Sequence, residues 1–192
     1  MSQPAQVLVA ADVRRLIRQV CDHRHALRDH VIVLLSFKAG LRACEIAGLD
    51  WSMVLRPDGK LADQVSVSRH IAKNGNARRL PLHPDLKTGL ARLHVLQGKP
   101  RCGPVILSER GAHMTPRSIV NWFARLYDRA GLDGCSSHSG RRTFITRSAR
   151  LLARTGGSLR DVQELAGHRS LSTTERYIAG DRDAQRKLIR LI

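Results

Sequence analysis

The chain has 192 residues, 42% hydrophobic and only 4% aromatic, so one domain with a core of Leu, Ile, Val and Ala is expected, needing neither disulfide nor metal support. Its 33 Lys and Arg against 16 Asp and Glu give a net charge of +17, which points to a polyanionic partner and away from an ordinary small-molecule enzyme. Of the basic residues 27 are Arg, whose planar fork of donors matches phosphate oxygens, whereas Lys is a point charge.

Residues 10–20 predict a helix, with Val13, Leu16, Ile17 and Val20 at helical spacing. Residues 26–39 predict a second, mostly apolar through 31–37 and therefore buried, ending at Gly40 as a C-cap. Residues 43–49 form a short third helix. The period then falls to two. Asp58-Gly59 marks a turn, Val65, Val67 and Arg69 alternate with Ser66, Ser68 and His70, residues 73–76 form a hairpin tip, and residues 78–82 return. Helices resume over 84–96, 115–130, 138–153, 158–165, 172–178 and 181–192. Thr115-Pro116 supplies an N-cap and an N1 proline. The expected fold class is mainly α with a small antiparallel β-sheet, an α+β domain.

No apolar run approaches the roughly 18 residues of a membrane span, and the N-terminus lacks the basic-then-apolar order of a signal peptide. Cys21, Cys44, Cys102 and Cys135 show no CxxC spacing and read as reduced thiols of a cytoplasmic protein. The charge is spread along the chain, with its excess beginning after the first quarter, and this disfavours a membrane-surface helix.

Four places carry reactive groups. Arg42 follows Gly40-Leu41 on the first turn of a helix, where backbone amides and a guanidinium can converge on one phosphate and Glu45 can hold the Arg. The same Arg also fits an ordinary surface pair with Glu45. Lys73 stands at the hairpin tip, where a lysine is ordinarily a solvated charge and otherwise a proton donor on an arm. His138 and Arg141 share a helix face, capped by Ser136 or Ser137, and an anion between them would relieve their repulsion. His168 precedes a short helix capped by Ser170 or Ser172, with Tyr177 near its end. Only two tyrosines exist. Tyr127 lies beside Trp122, Phe123 and Leu126 and reads as packing, whereas Tyr177 follows a polar Ser/Thr stretch, a poor setting for a core aromatic.

Arg42, Lys73, His138-x-x-Arg141, His168 and Tyr177, in that order, resemble the reactive constellation of the tyrosine recombinases, the phage integrase family. Residues 39–50 resemble its first Arg box and residues 165–178 its Leu-Gly-His…Tyr box. Two positions depart from the usual pattern: Gly140 stands where the family has Leu, and Arg142 where it has His. Gly140 is expected to weaken its helix by roughly 1 kcal/mol relative to Ala.

The resemblance implies residues 1–192 as a single catalytic domain without a separate N-terminal core-binding domain. It implies cleavage and rejoining of double-stranded DNA through a 3′-phosphotyrosyl intermediate, with Tyr177 as nucleophile. Arg42 and Arg141 would clamp the non-bridging oxygens, and Lys73 would protonate the leaving 5′-oxygen. His138 would bond the phosphate or take the tyrosine proton, and His168 would orient an oxygen or help position the nucleophile. No cofactor, metal or ATP is called for. Four protomers on two duplexes are implied, with the apolar C-terminal helix docking on a neighbour or completing its own core. Accessory DNA-binding proteins and a nucleoid location go with this. A type IB topoisomerase shares the chemistry, and a non-catalytic DNA-binding regulator shares the charge, so both stay open at this point.

Overall fold

The computed structural model describes residues 5–72, 75–177 and 189–190. In chain order these form α1 (Ala10–Val20), α2 (Ala26–Lys38), α3 (Ala43–Ala47), a single 3₁₀ turn (Trp51–Met53), β1 (Gln64–Val67), β2 (Arg78–Pro81), α4 (Pro84–Leu96), α5 (Pro116–Arg129), α6 (Ser139–Thr155), α7 (Leu159–Ala166) and α8 (Leu171–Glu175). The domain is mainly helical with one two-stranded antiparallel sheet, as expected. No helix among the described residues is long and apolar enough to cross a membrane. Lys73 and the expected helix over 181–192 fall largely or wholly outside the described residues.

The apolar run of α2 explains its position. Val31 to Leu35 and Phe37 are all buried, so α2 is covered on every side, by α1, α3, α4 and α6. By contrast α1 and α5 are amphipathic and bury one stripe each: Val13, Leu16 and Val20 in α1, and Ile119, Trp122, Phe123, Leu126 and Tyr127 in α5. Tyr127 is packing, stacked on Phe123. The sheet pairs Val65 with Leu80 and Val67 with Arg78, and Val65, Val67 and Leu80 enter the core. One large apolar cluster thus runs from Leu8 to Tyr127. A second, small one joins Ile145, Val162 and Ala166, with Phe144, Leu152, Leu159 and Tyr177 against it.

Expected ends move where local hydrogen bonds intervene. β1 stops at Val67 because residues 68–72 close into a turn, with the Ser68 carbonyl accepting from Ile71 and Ala72. Gly48 ends α3 at Ala47. The helix expected over 172–178 occupies Leu171–Glu175, and the N-cap is Ser170, whose hydroxyl accepts from the Ser172 amide. Thr115 caps α5 as expected, accepting from the Ser118 amide at 3.1 Å.

Gly140 reverses its expectation. A Cβ there would stand 2.1 Å from Ser36 Oγ and 3.1 Å from the Phe37 ring. Close approach of α6 to α2 needs the missing side chain, so the position supplies packing that outweighs its low helix propensity. Gly40 does the same from the other side. Its φ of +61° is left-handed, and a Cβ would run into the Phe144 ring.

Candidate catalytic site

The site is assembled at the seam between the two apolar clusters. Arg42 is the N-cap residue of α3. Its backbone amide donates to Glu45 Oε2 at 2.8 Å, and its guanidinium reaches Glu45 Oε1 at 3.2 Å. Glu45 is fully buried, and a buried carboxylate needs partners on both oxygens. The main partner is Arg78, whose two terminal nitrogens donate to the two Glu45 oxygens at 2.7 and 2.9 Å. Burial pushes the Glu45 carboxyl up, but the Arg78 fork and the Arg42 amide outweigh it, so the net direction is down and the group is ionised.

Arg78 was not singled out by the sequence reasoning above. Its Nε also donates to the Leu165 carbonyl at 3.2 Å, tying β2 to the end of α7. Gly167, at a left-handed φ of +63°, makes room for it, since a Cβ there would stand 2.9 Å from Arg78 Cδ. The available signal is the alternation of β2: Arg78 shares a face with buried Leu80, and an inward-facing Arg on a strand implies a buried acid to meet it.

Arg141 is buried on α6. Its guanidinium donates to the Gly40 carbonyl at 2.7 Å and to the Ala166 carbonyl. These two bonds join the loop after α2 to the end of α7 and fix the direction of the fork. Burial pushes Arg141 down to about 10, with Arg42 and Arg78 adding repulsion and Glu45 opposing them. It stays charged at neutral pH.

His168 is buried just past α7. Its amide donates to the Gln163 carbonyl and its own carbonyl accepts from Gln163 Nε2, both at 3.1 Å. Its Nδ1 lies 2.9 Å from the hydroxyl of Thr174, a fully buried residue of α8. Burial pushes the imidazole down to about 4, assisted by Arg141, Arg42 and Arg78, so His168 is neutral at pH 7. The Tyr177 ring stacks on it, with centroids 5.5 Å apart and planes 23° apart. Tyr177 is half-buried and also touches the small apolar cluster, so it carries packing as well as a phenol. Thr174 is a second residue that sequence reasoning passed over. Nothing in a Ser/Thr run distinguishes the hydroxyl that folds inward.

Arg42, Arg141, His168 and Tyr177 are therefore brought into electrostatic or direct contact. His138 is the exposed N-cap residue of α6, one turn before Arg141, and its amide donates to Ser136 Oγ at 3.3 Å. Lys73 lies outside the described residues. A cleft of about 570 Å³ lined by Arg28, Leu93, Leu96, Leu107 and Glu109, among others, shares no lining residue with this site. What marks the site is the concentration of fixed positive charge around one neutral imidazole and one phenol.

A mainly helical domain with this Arg, His and Tyr arrangement is the catalytic-domain architecture of tyrosine recombinases. The sequence pattern of the phage integrase family matches residues 6–183, and the chain belongs to that family. Tyrosine recombinase XerC of Nitrobacter winogradskyi is 36% identical over 160 residues, which cover 80% of this chain and 46% of that protein. The chain spans about half the length of the curated relatives it matches. Among solved structures, XerA recombinase superposes with a TM-score of 0.75 at 22% identity, over 98% of this chain and 66% of that one. The integrase of transposon Tn1549, solved in complex with transposon right end DNA, superposes with a TM-score of 0.74 at 20% identity, over 98% and 67%.

Proposed function

We propose that residues 1–192 act as the catalytic domain of a site-specific DNA recombinase, with Tyr177 as nucleophile and double-stranded DNA as substrate. The observation that carries this reading is the meeting of Arg42, Arg141, His168 and Tyr177, from three separate stretches of chain, at one charged seam. A phosphodiester at that seam gains negative charge on its non-bridging oxygens as it is attacked, and preorganised guanidinium groups stabilise that charge. The bonds of Arg141 to two carbonyls and of Arg42 to Glu45 hold both forks before substrate arrives.

In the reaction, the Tyr177 oxygen bonds to phosphorus, its proton passes to a base, and the 5′-oxygen leaves with a proton. A 3′-phosphotyrosyl link results. A 5′-hydroxyl attacking that link reverses the step, so rejoining conserves the bond energy. Lys73 supplies the proton to the leaving oxygen, and His138 bonds the phosphate or accepts the phenol proton. His168, neutral and held by Thr174, orients an oxygen of the reacting group. Binding rests on the charge of +17, through phosphate contacts that release counterions. Exchange between two duplexes needs four protomers, with the C-terminal segment docking between copies and accessory DNA-binding proteins assisting. The work is done in the cytoplasm, on the nucleoid.

The test is incubation with nicked duplexes carrying candidate sites, followed by denaturing electrophoresis. The wild-type chain leaves a protein–DNA adduct. Tyr177→Phe leaves none and binds the same DNA within about twofold, since one hydroxyl is lost from a site held by many phosphate contacts. An adduct formed by the Phe variant overturns the assignment.

A further inference from the structure

One departure from the family pattern lies against the reacting phenol. Arg142, which stands where the family usually has His, places its guanidinium carbon 5.6 Å from the centroid of the Tyr177 ring. His168 stacks on that ring at 5.5 Å. The ring therefore has an imidazole and a guanidinium as neighbours. We propose that Arg142 is a positioning residue for Tyr177: its guanidinium, together with His168, sets the plane of the phenol ring. This deepens the reading of Tyr177 as nucleophile and rests on it for its catalytic consequence.

The two neighbours of the ring differ in chemistry. His168 is neutral at pH 7 because burial and three guanidinium groups oppose its protonation. It gives Tyr177 a flat, uncharged surface and a fixed partner, since its own ring is bonded to Thr174. Arg142 presents a guanidinium, and its position within about 6 Å of an aromatic centroid is that of a cation–π contact. Arg141 adds a second charge from the same helix, in electrostatic reach of Tyr177. Among the described residues, the groups acting on the phenol are Arg141 and Arg142 from α6 and His168 from the loop after α7, with Arg176 next to Tyr177 in sequence. Arg141 is committed to two backbone carbonyls, whereas Arg142 is half-buried at the rim.

Near-ultraviolet circular dichroism reads the packing of the aromatic rings without DNA. In Arg142→Gln the tyrosine band changes, and in Arg142→Lys it stays near wild type. Single-turnover adduct formation at saturating nicked DNA falls about three- to tenfold in Arg142→Gln and is restored in Arg142→Lys. Two results overturn the proposal: an unchanged tyrosine band, or a defect confined to DNA affinity with the saturated rate intact. If wild type forms no adduct while the band still changes, the contact stands and the recombinase reading is what fails. A melting curve for each variant identifies any that has not folded, and Arg142→Lys keeps the test available in that case.

Discussion

The two apolar clusters of this domain are built differently, and the site lies between them. The large one gathers residues from Leu8 to Tyr127 around α2, and most of its members are fully buried. The small one has three buried members, Ile145, Val162 and Ala166, with half-buried neighbours. Burial of that size does little to hold α7 and α8 against the rest. What holds α7 is polar: Arg141 on the Gly40 and Ala166 carbonyls, and Arg78 on Glu45 and the Leu165 carbonyl, with α8 tied on through Thr174 and His168. The guanidinium groups of the site thus fasten the later helices to the rigid part.

The largest break in that arrangement is Glu45→Ala. It strips the partner from two guanidinium groups at the seam, and removing one member of a buried pair costs about 3–5 kcal/mol. The urea midpoint falls, and amide protection is lost first in α6, α7 and α8, with α2 and α4 affected less. Uniform loss across all helices contradicts the idea of a polar seam fastening a weaker unit.

Gly140→Ala sharpens the comparison from the packing side. Helix propensity alone favours Ala by roughly 1 kcal/mol, but its Cβ meets Ser36 Oγ at 2.1 Å. Overpacking of this kind costs about 1–3 kcal/mol, so the variant is expected to be less stable. A raised melting temperature shows that Ser36 yields cheaply and that α6 is not held as closely to α2 as its contacts indicate.

The smallest effect is a slope. His168 is pushed down to about 4 from an ordinary value of 6.5, so the unfolded chain binds more protons than the folded one between these values. Its contribution is fully present above pH 6.5 and is lost as pH falls toward 4. Glu45, also lowered, acts in the same direction further down, its contribution present above the ordinary carboxyl range. Urea midpoints measured from pH 7 to pH 4.5 fall in the wild type and fall less in His168→Gln. Parallel slopes for the two proteins remove His168 from the account.

Local patterns were legible where one physical rule acts alone. Among the described residues, alternation and 3.6-residue spacing placed the helices and the sheet within a few residues. Thr115-Pro116 fixed the start of α5, and the apolar run of 31–37 identified the central helix. The ends of β1 and α3 moved because turns at 68–72 and at Gly48 satisfy backbone groups locally. Within the site, Arg42, Arg141, His168 and Tyr177 were selected by type and order and come together. Arg78 escaped notice because its meaning lies in Glu45, 33 residues away, and Thr174 because its hydroxyl resembles its neighbours until α8 folds over His168.

The amino-acid order alone determined the charge, the elements and the inventory of reactive groups, since these depend on residue type and on spacing within one or two turns. The tertiary structure decided which charges neutralise one another and which remain to act. It pairs Arg78 with Glu45, commits Arg141 to two carbonyls and keeps His168 neutral among cations. These outcomes depend on distances between stretches of chain far apart in sequence, and on the low dielectric of a seam that exists only once α2, α6 and α7 have packed.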